Sequence, residues 1–212
     1  MSDMTTAPTP VPQAARHLSL RERKKIKTRI AIRDATYALI EEQGYEATTV
    51  EQIAERAEVS PSTVFRYFPT KEDIVLTDEH DPILMEELRK RPADEPWPES
   101  LRYVMKLAIS AGMREEPEIT RLRSHLLAQV PAVRARMMES MSVTGRMLAD
   151  AVAARTGLEP DSLEARVYTM SLVGGLTEIS LYWAENDFQD DLHDLLDRAL
   201  GVIAHGLPEK NT

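Results

Sequence analysis

Apolar residues recur every three to four positions along most of the chain, which is the spacing of an amphipathic α-helix. No Asn-Gly or Asp-Gly turn separates alternating apolar and polar stretches, so a β-sheet is not expected. The pattern predicts an all-α protein of about nine helices, with three in a small N-terminal part over residues 18–70 and the rest in a larger part over residues 71–208. Residues 1–17 are expected to form a disordered tail and residues 209–212 a short C-terminal one.

Capping residues and prolines set the predicted helix boundaries. Ser19 with Glu22 forms a capping box at the start of the first helix, and Gly44 ends it. The helix beginning at Lys71 is expected to reach Lys90, with Asp81-Pro82 as a point of kinking or interruption. Further helices are expected over residues 99–114, 117–130, 131–156, 161–186 and 188–206.

The stretch from Thr48 to Asp73 predicts two short helices joined by a tight turn, followed by the start of a third. Thr48 followed by Glu51 is the pattern of a capping box, which would open the first helix. Ser60 supplies a second N-cap, and Pro61 follows at the first helical position, where its missing N–H costs nothing. This order is typical of a helix-turn-helix whose second helix begins at Ser60.

The second helix of this pair has one apolar and one polar side. Val64 and Phe68 lie four residues apart and would share the buried face. Phe65 and Phe68 are expected in the core, and stacking on bases is the alternative for both. The opposite side carries hydroxyl groups and a guanidinium, which bond base edges and phosphates in protein–DNA complexes. These residues are Ser62, Thr63, Arg66 and Tyr67.

The positions that carry a family resemblance are Ala35, Ala38, Leu39, Gly44, Tyr45, Thr48, Thr49, Val50, Ile53, Ala54, Ala57, Val59, Ser60, Thr63, Val64, Phe65, Tyr67, Phe68, Lys71 and Glu72. Across roughly residues 26–76 the sequence thereby resembles the tetracycline-repressor-like (TetR) transcription regulators, without insertions. The resemblance implies that Tyr67 and Lys71 contact phosphates and that Ser62, Thr63 and Arg66 face the groove. Helix-turn-helix geometry alone would also fit an ordinary helix pair inside an all-α domain.

The distribution of charge favours nucleic-acid binding, although the whole chain carries a net charge of −9. Residues 1–71 hold 11 basic and 9 acidic residues and net +2, so the remainder nets −11. Eight of the basic residues lie between Arg16 and Arg33, where Glu22 is the only acid. Positive charge near a helix N-terminus opposes the helix macrodipole, so helix stability does not explain this block. Contact with the DNA backbone or the minor groove would explain it.

Residues at helix starts and on the second helix complete the set of candidate DNA contacts. Arg66 is the best candidate to read guanine, because its guanidinium can bond O6 and N7 together. Thr48 or Thr49 and Lys71 stand at helix starts, which suit phosphate, although Thr48 is equally compatible with a capping role alone. The full set is Arg21, Arg23, Lys24, Lys25, Thr48, Thr49, Ser60, Ser62, Thr63, Arg66, Tyr67 and Lys71.

The last two predicted helices are broadly apolar, and residues 172–176 carry no polar side chain. Glycine inside a helix costs up to about 1 kcal/mol relative to alanine, so Gly174 and Gly175 favour a close helix contact. The family resemblance implies a two-fold dimer in which these helices pair with their copies, and a purely intramolecular core is the alternative. The predicted interface is Leu172, Gly175, Leu176, Ile179, Leu192, Leu195, Leu196, Ala199 and Ile203.

Methionine and aromatic residues in the C-terminal part indicate a ligand pocket. Methionine adapts to apolar ligands of varied shape, although ordinary core is the alternative at each single position. The family resemblance implies a small-molecule effector, and a buried Glu178 among aromatic rings would favour a cationic one. The predicted lining is Tyr103, Met105, His125, Gln129, Met137, Met141, Tyr168, Met170, Glu178, Tyr182 and Trp183.

We therefore expect a cytoplasmic homodimer that represses transcription by binding a palindromic double-stranded operator and is released by an effector. An activator, a co-repressor-dependent regulator and an adaptor that has lost DNA binding are the alternatives. An enzyme is not expected, because the chain has no cysteine, its five histidines are dispersed and no glycine-rich phosphate loop is present. No cofactor, metal site or membrane segment is expected either.

Overall fold

The computed structural model describes residues 20–77 and 81–207. This part of the chain contains ten α-helices and no β-strand. The helices are α1 (Leu20–Gln43), α2 (Val50–Arg56), α3 (Pro61–Tyr67), α4 (Lys71–Leu76), α5 (Asp81–Lys90), α6 (Trp97–Glu115), α7 (Pro117–Gln129), α8 (Pro131–Thr156), α9 (Leu163–Glu185) and α10 (Leu192–His205). The prediction of an all-α fold is confirmed. The two predicted tails and the Ser19 cap lie outside the described residues.

The chain divides into two compact units, the first of which ends at Thr77. A single helix over Lys71–Lys90 is not what the structure shows: α4 ends at Leu76, and α5 starts at Asp81. The break begins at Thr77, whose backbone is extended. Pro82 lies in the first turn of α5, where its missing N–H costs no helical hydrogen bond. The short helix α4 therefore belongs to the N-terminal unit, whereas we had assigned it to the larger part.

Four helices of the N-terminal unit share one apolar core. Its most deeply buried members, each at most 2% exposed, are Ile32 of α1, Ile53 and Ala54 of α2, Val64 of α3, Phe68 at the C-cap of α3, and Ile74 of α4. Because Val64 and the cap residue Phe68 are both buried here, the core determines which side of α3 faces outward.

Phe65 does not belong to this core, and our prediction that it is buried was wrong. Its side chain is 52% exposed. Val64 occupies the buried face of α3, with Phe68 buried just after the helix, and Phe65 is turned about 100° from Val64 around the helix axis. The helix therefore presents an aromatic ring on its outer side.

The described core of the C-terminal unit includes two apolar clusters. The first joins α6, α9 and α10 through Leu101, Leu172, Ile179, Trp183, Leu195, Leu196 and Leu200. The second joins α5, α6, α8 and α9 through Leu88, Trp97, Val104, Leu148, Val152 and Val173. Each cluster thus draws on α6 and α9, which hold the two together.

The two tryptophans of the chain have different surroundings in these clusters. Trp183 packs edge-to-face against Phe188, and its Nε1 donates to the backbone oxygen of Asp190 at 3.0 Å. Trp97 is 6% exposed, and its Nε1 finds no hydrogen-bond acceptor among the residues that the structure describes. The guanidinium carbon of Arg155 lies 5.7 Å from the Trp97 ring centroid.

A polar network fastens the loop between α5 and α6 to α8. Arg91 donates from Nε to Oε2 of Glu95 at 2.9 Å. Ser100 donates to the same carboxylate and accepts a hydrogen bond from Nη1 of Arg155 at 2.8 Å. The hydrogen bond from Arg91, followed by that from Ser100, lowers the pKa of Glu95 to about 2.

Acid titration of stability tests this network with Glu95→Gln. Because the pKa of Glu95 lies at about 2 in the folded protein against an ordinary 4.5, its contribution to the free energy of unfolding is present above pH 4.5 and is lost as the pH falls toward 2. The variant should therefore be less stable than wild type at neutral pH, and the difference should shrink in acid. Urea unfolding at a series of pH values measures it.

The matched control is Glu118→Gln on α7, whose side chain is 74% exposed. This variant should unfold like wild type across the same pH range. A Glu95→Gln difference that stays constant with pH would contradict the assigned shift in pKa.

Candidate nucleic-acid interface

A turn over residues 57–60 joins α2 to α3. Glu58 in this turn has a positive φ of 55°, and the N–H of Val59 donates to the carbonyl of Ala54 at 2.9 Å. Ser60 then caps α3 by accepting the N–H of Thr63 at 3.2 Å, which confirms the predicted cap. The two helices and their turn therefore form the predicted helix-turn-helix.

The outer side of α3 carries exposed hydroxyl groups and an unpaired cation. Ser60 Oγ lies 2.9 Å from both Ser62 Oγ and Thr63 Oγ1. Arg66 donates from Nη2 to Thr63 Oγ1 at 3.4 Å, and its guanidinium carbon lies 5.4 Å from the Tyr67 ring centroid. Arg66 forms no ion pair with any described residue. Its charge is therefore available to a group outside the protein.

A basic cleft of about 860 Å³ lies between the first turns of α1 and the end of α3. It is lined by Leu20, Arg21, Lys24, Lys25, Arg29, Arg66 and Tyr67, so all its charged side chains are cationic. The cleft brings together residues that we predicted separately on two helices. Arg23 is exposed but does not line the cleft.

Arg29 is a cleft residue that the sequence reasoning missed. The signal was present, because Arg21, Lys25 and Arg29 are spaced four apart and share one stripe of α1. The guanidinium carbon of Arg29 lies 4.6 Å from the ring centroid of Phe68, a cation–π distance. This contact ties the basic stripe of α1 to the end of α3.

Thr49, and not Thr48, is the N-cap of α2. Thr49 Oγ1 accepts the N–H of Gln52 at 3.3 Å, and Gln52 Oε1 accepts the N–H of Thr49 at 2.9 Å, so Gln52 replaces Glu51 in the predicted capping box. Thr48 is 1% exposed, and its hydroxyl donates to the carbonyl of Gly44 at 2.8 Å. The structure therefore contradicts the DNA contact predicted for Thr48, whereas Thr49 is exposed.

Lys71 joins the start of α4 to the turn between α1 and α2. Its Nζ donates to the carbonyls of Tyr45 and Thr48 at 2.8 and 2.9 Å and lies 3.9 Å from the Tyr45 ring centroid. The Tyr45 hydroxyl donates to the Glu72 carboxylate. Burial lowers the pKa of Lys71, and burial together with the bond to Glu72 raises the pKa of Tyr45. Two of the three N–H donors of the Lys71 ammonium thus bond backbone carbonyls within the unit. The phosphate contact of Lys71 stays a prediction.

The residues predicted to line an effector pocket do not converge on one cavity. Met105 and Trp183 pack into the first apolar cluster of the C-terminal unit, and Met141 and Tyr168 into the second. Met137 is half-buried on α8. The remaining six, which lie at the surface, are Tyr103, His125, Gln129, Met170, Glu178 and Tyr182.

Glu178 is exposed, so the argument for a cationic effector is not supported. Its side chain lines a surface groove together with Gly175, Tyr182 and Arg198. The guanidinium carbon of Arg198 lies 5.7 Å from the Tyr182 ring centroid. Arg198 therefore already occupies the position on the Tyr182 ring that a cationic ligand would need.

Two cavities that both include Trp97 in their lining were missed by the sequence reasoning. One, of about 470 Å³, is lined by Trp97, Pro98, Val152, Thr156, Leu158, Glu164, Ala165 and Tyr168. The other, of about 530 Å³, is lined by Leu88, Arg89, Arg91, Ala93, Trp97, Met147, Asp150, Ala151, Ala154 and Arg155. Of all these residues, Tyr168 alone was in the predicted lining.

Four residues of the predicted dimer interface are core residues of the protomer instead. Leu172, Ile179, Leu195 and Leu196 are at most 8% exposed, because they pack against one another and against α6 in the first apolar cluster. Leu176, Leu192, Ala199 and Ile203 are partly exposed at the edge of that cluster. Gly175 fits close packing within the chain, since a Cβ there would lie 3.0 Å from Cδ1 of Ile203.

Neither a metal site nor a membrane span is found among residues 20–77 and 81–207. No group of histidine and carboxylate side chains there could hold a metal ion. No helix in these ranges is both long enough and apolar enough to cross a bilayer.

Two family profiles match the chain in succession. Residues 32–77 match the bacterial regulatory proteins of the tetR family, and residues 95–208 match the MftR C-terminal domain of TetR-type regulators. The first match covers most of the helix-turn-helix unit, and the second covers more than half of the chain.

Individual proteins agree with these profiles. The chain is 32% identical over 149 residues to the transcriptional regulator TcmR of Streptomyces glaucescens, a match that covers 67% of this chain and 66% of that protein, just under two thirds of its length. It is 24% identical to the fatty acid metabolism regulator protein of Bacillus subtilis, over 84% of this chain and 94% of that one. The crystal structure of the TetR-family repressor FadR of Thermus thermophilus, in complex with lauroyl-CoA, is similar with a TM-score of 0.58 and 25% identity, over 87% and 97% of the two chains.

Removal of two cleft lysines tests the electrostatic role of the basic cleft. Lys24→Gln combined with Lys25→Gln should weaken binding to every DNA duplex alike. The slope of log affinity against log salt should fall by about 2, because each lost phosphate contact releases about one counterion fewer. Anisotropy titrations at several salt concentrations measure this slope.

The control removes the same charge from the C-terminal unit. Arg114→Gln combined with Arg121→Gln should leave the slope unchanged, since both side chains are exposed on α6 and α7 and neither lines the cleft. Equal slopes for the two double variants would remove the cleft from the interface.

Proposed function

Because the chain belongs to the TetR family of bacterial transcription regulators, we propose that it is a homodimeric repressor that leaves a palindromic operator when an effector binds. The observation that carries the proposal is the convergence of Arg66 and Tyr67 of α3 with the basic stripe of α1 on one cleft. In this mechanism α3 enters the major groove, Arg66 reads a base, and the cleft holds the neighbouring phosphates. A cytoplasmic location follows from a DNA target.

Exposed apolar side chains on α9 and α10 support the homodimer, although the exposed Glu178 lies among them on α9. Val167, Tyr182 and Val202 are each between 42% and 56% exposed, and the small Gly174 lies on the same side of α9. A groove of about 350 Å³ between α9 and α10 is suited to accept side chains of a second copy. One recognition helix reads few base pairs, and two-fold pairing of α9 and α10 doubles that number over a palindrome.

The cavities beside Trp97 support an amphiphilic, anionic effector. The cavity that contains Val152, Leu158 and Tyr168 is mostly apolar and suits an acyl chain. The other cavity that Trp97 lines carries three arginines, Arg89, Arg91 and Arg155, against one acid, Asp150. Its net positive charge suits an anionic head group, although Arg91 already pairs with Glu95 and Arg89 with Glu86. The FadR relative is bound to lauroyl-CoA. We therefore take acyl thioesters of coenzyme A as the effector class.

Helices α4 and α5 are suited to couple effector binding to DNA binding, because they follow one another in the chain. Lys71 fastens α4 to the helix-turn-helix unit, and Leu88 of α5 lines one of the cavities beside Trp97. An effector that displaces α5 would thereby displace α4 and change the spacing of the two recognition helices. Release requires that the effector prefers the non-binding state, and a coupling free energy of about 1–3 kcal/mol is typical.

Titration of labelled DNA duplexes tests operator binding. The protein should bind the DNA upstream of its own gene more tightly than a scrambled duplex, with two protomers per operator. Arg66→Ala should lose this preference, at a cost of about 1–3 kcal/mol for each guanine that the side chain reads. Arg114→Ala, which removes an arginine that is 71% exposed on α6, is the matched control and should bind like wild type.

The outcomes separate the candidate functions. Equal and weak binding to both duplexes would place the operator elsewhere in the genome. No binding at low salt would contradict a DNA-binding regulator and favour the adaptor. One protomer per operator would contradict the dimer.

Addition of lauroyl-CoA to the preformed complex tests the effector class. Lauroyl-CoA should release the protein from DNA, whereas coenzyme A alone should not, because it lacks the acyl chain. Leu158→Asp, at the rim of the apolar cavity, should weaken the response and leave DNA binding intact. Leu207→Asp is the control, since Leu207 is 82% exposed and lines neither cavity beside Trp97. An unchanged complex at saturating lauroyl-CoA would overturn this effector class alone.

A further inference from the structure

We infer that Phe65 reads thymine in the operator, through contact of its ring with the C5-methyl group in the major groove. The ring is 52% exposed on α3. Ser62 lies one helical turn before Phe65 and Arg66 follows it, and both are exposed. Phe65 therefore stands within the surface that α3 would present to bases. The inference rests on the proposed function and adds a second base-reading residue to it.

The chemistry of the side chain restricts its partner on DNA. A phenyl ring has no hydrogen-bond donor or acceptor, so it forms no hydrogen bond with a phosphate oxygen or a polar base edge. On the major-groove edges of the four bases, the methyl group of thymine is the one apolar group. Apolar wedges that unstack base steps act from the minor groove, whereas the second helix of a helix-turn-helix lies in the major groove.

The N-terminal unit gives Phe65 no place in its own core. Val64 on α3 and Phe68 at its C-cap fill the core below this helix. The partly buried side chains packed against that core are Val50, Ala57, Val59 and Tyr67, and Phe65 is not among them. Contact with a methyl group would remove apolar ring surface from water, which is favourable in proportion to the area covered. Stability of the fold therefore does not explain an aromatic residue here, and recognition of thymine does.

The neighbours of Phe65 supply the complementary contacts. Arg66 is the candidate for guanine, and the hydroxyl of Ser62 can bond a polar base edge. With Phe65 between them along the helix, the exposed side of α3 offers a cation, a hydroxyl group and an apolar ring. Such a surface distinguishes thymine from cytosine, because cytosine lacks the methyl group at the same ring position.

Replacement of thymine by deoxyuridine tests the contact on the wild-type protein. A binding site is first selected from a random duplex pool with the full-length chain, and each thymine is then replaced singly by deoxyuridine, which lacks only the methyl group. We expect binding to weaken about fourfold at one thymine position in each half-site, as for one methyl group lost from an apolar contact. Anisotropy titration at fixed salt measures the affinities.

Two variants assign the effect to the residue. Phe65→Ala should bind the thymine duplex at least fourfold more weakly than wild type and should no longer distinguish thymine from deoxyuridine. Ser62→Ala, on the same face of α3, should bind more weakly but retain the full effect of deoxyuridine. Thermal unfolding of Phe65→Ala checks that the loss of DNA affinity is not due to unfolding of the variant.

Each outcome has a defined meaning. A protein that selects no sequence from the pool overturns the proposed function and this inference with it. A selected site in which every thymine can be replaced without loss overturns this inference alone. A deoxyuridine effect that persists in Phe65→Ala also overturns it, because another residue would then contact the methyl group.

Discussion

The structure of the DNA-reading unit depends on one partly buried cation. The ammonium of Lys71 is held by the carbonyls of Tyr45 and Thr48 and by the ring of Tyr45, which all belong to the turn between α1 and α2. Since Lys71 begins α4, this contact joins the two ends of the segment that contains α2 and α3. A unit of this size buries only a modest share of its surface, so fixed polar contacts matter to its order. The same cation thereby fixes the ends of the segment in which the burial of Val64 and Phe68 determines the outward side of α3.

Several features of this unit oppose stability and are explained by a DNA partner. Cations at the start of α1 oppose the helix macrodipole, and Arg66 finds no acid among the described residues. The aromatic ring of Phe65 on α3 is about half exposed to water. Proteins depart from local folding preferences chiefly at functional sites, and here the departures lie on two neighbouring helices of one unit. The compensation comes from the shared apolar core and from contacts such as that of Arg29 with Phe68.

The helix-turn-helix could be predicted because its signals are local, such as the Ser60 cap and the spacing of Val64 and Phe68. The cap of α2 was displaced by one residue, because Thr48 and Thr49 have the same chemistry and only the bond from Thr48 to Gly44 distinguishes them. Leu172, Ile179, Leu195 and Leu196 were predicted at a dimer interface although they lie in the protomer core, because α9 is apolar on most sides and has no periodicity that separates its core face from its outer face. The cavities beside Trp97 are formed by residues from four helices, and their convergence is a property of packing that no single segment encodes.

The two tryptophans are distributed unevenly between the two units. Both lie in the C-terminal unit, and the N-terminal unit contains neither. Trp183 is bonded to a backbone carbonyl. The indole N–H of Trp97 has no acceptor among the described residues, a guanidinium lies near its ring, and the ring lines two cavities. Tryptophan fluorescence of the unmodified protein therefore comes from two emitters with different surroundings in one unit. It responds to changes around the cavities, and no tryptophan lies in the helices that read DNA, so a change in tryptophan emission reports ligand occupancy rather than contact of α3 with the operator.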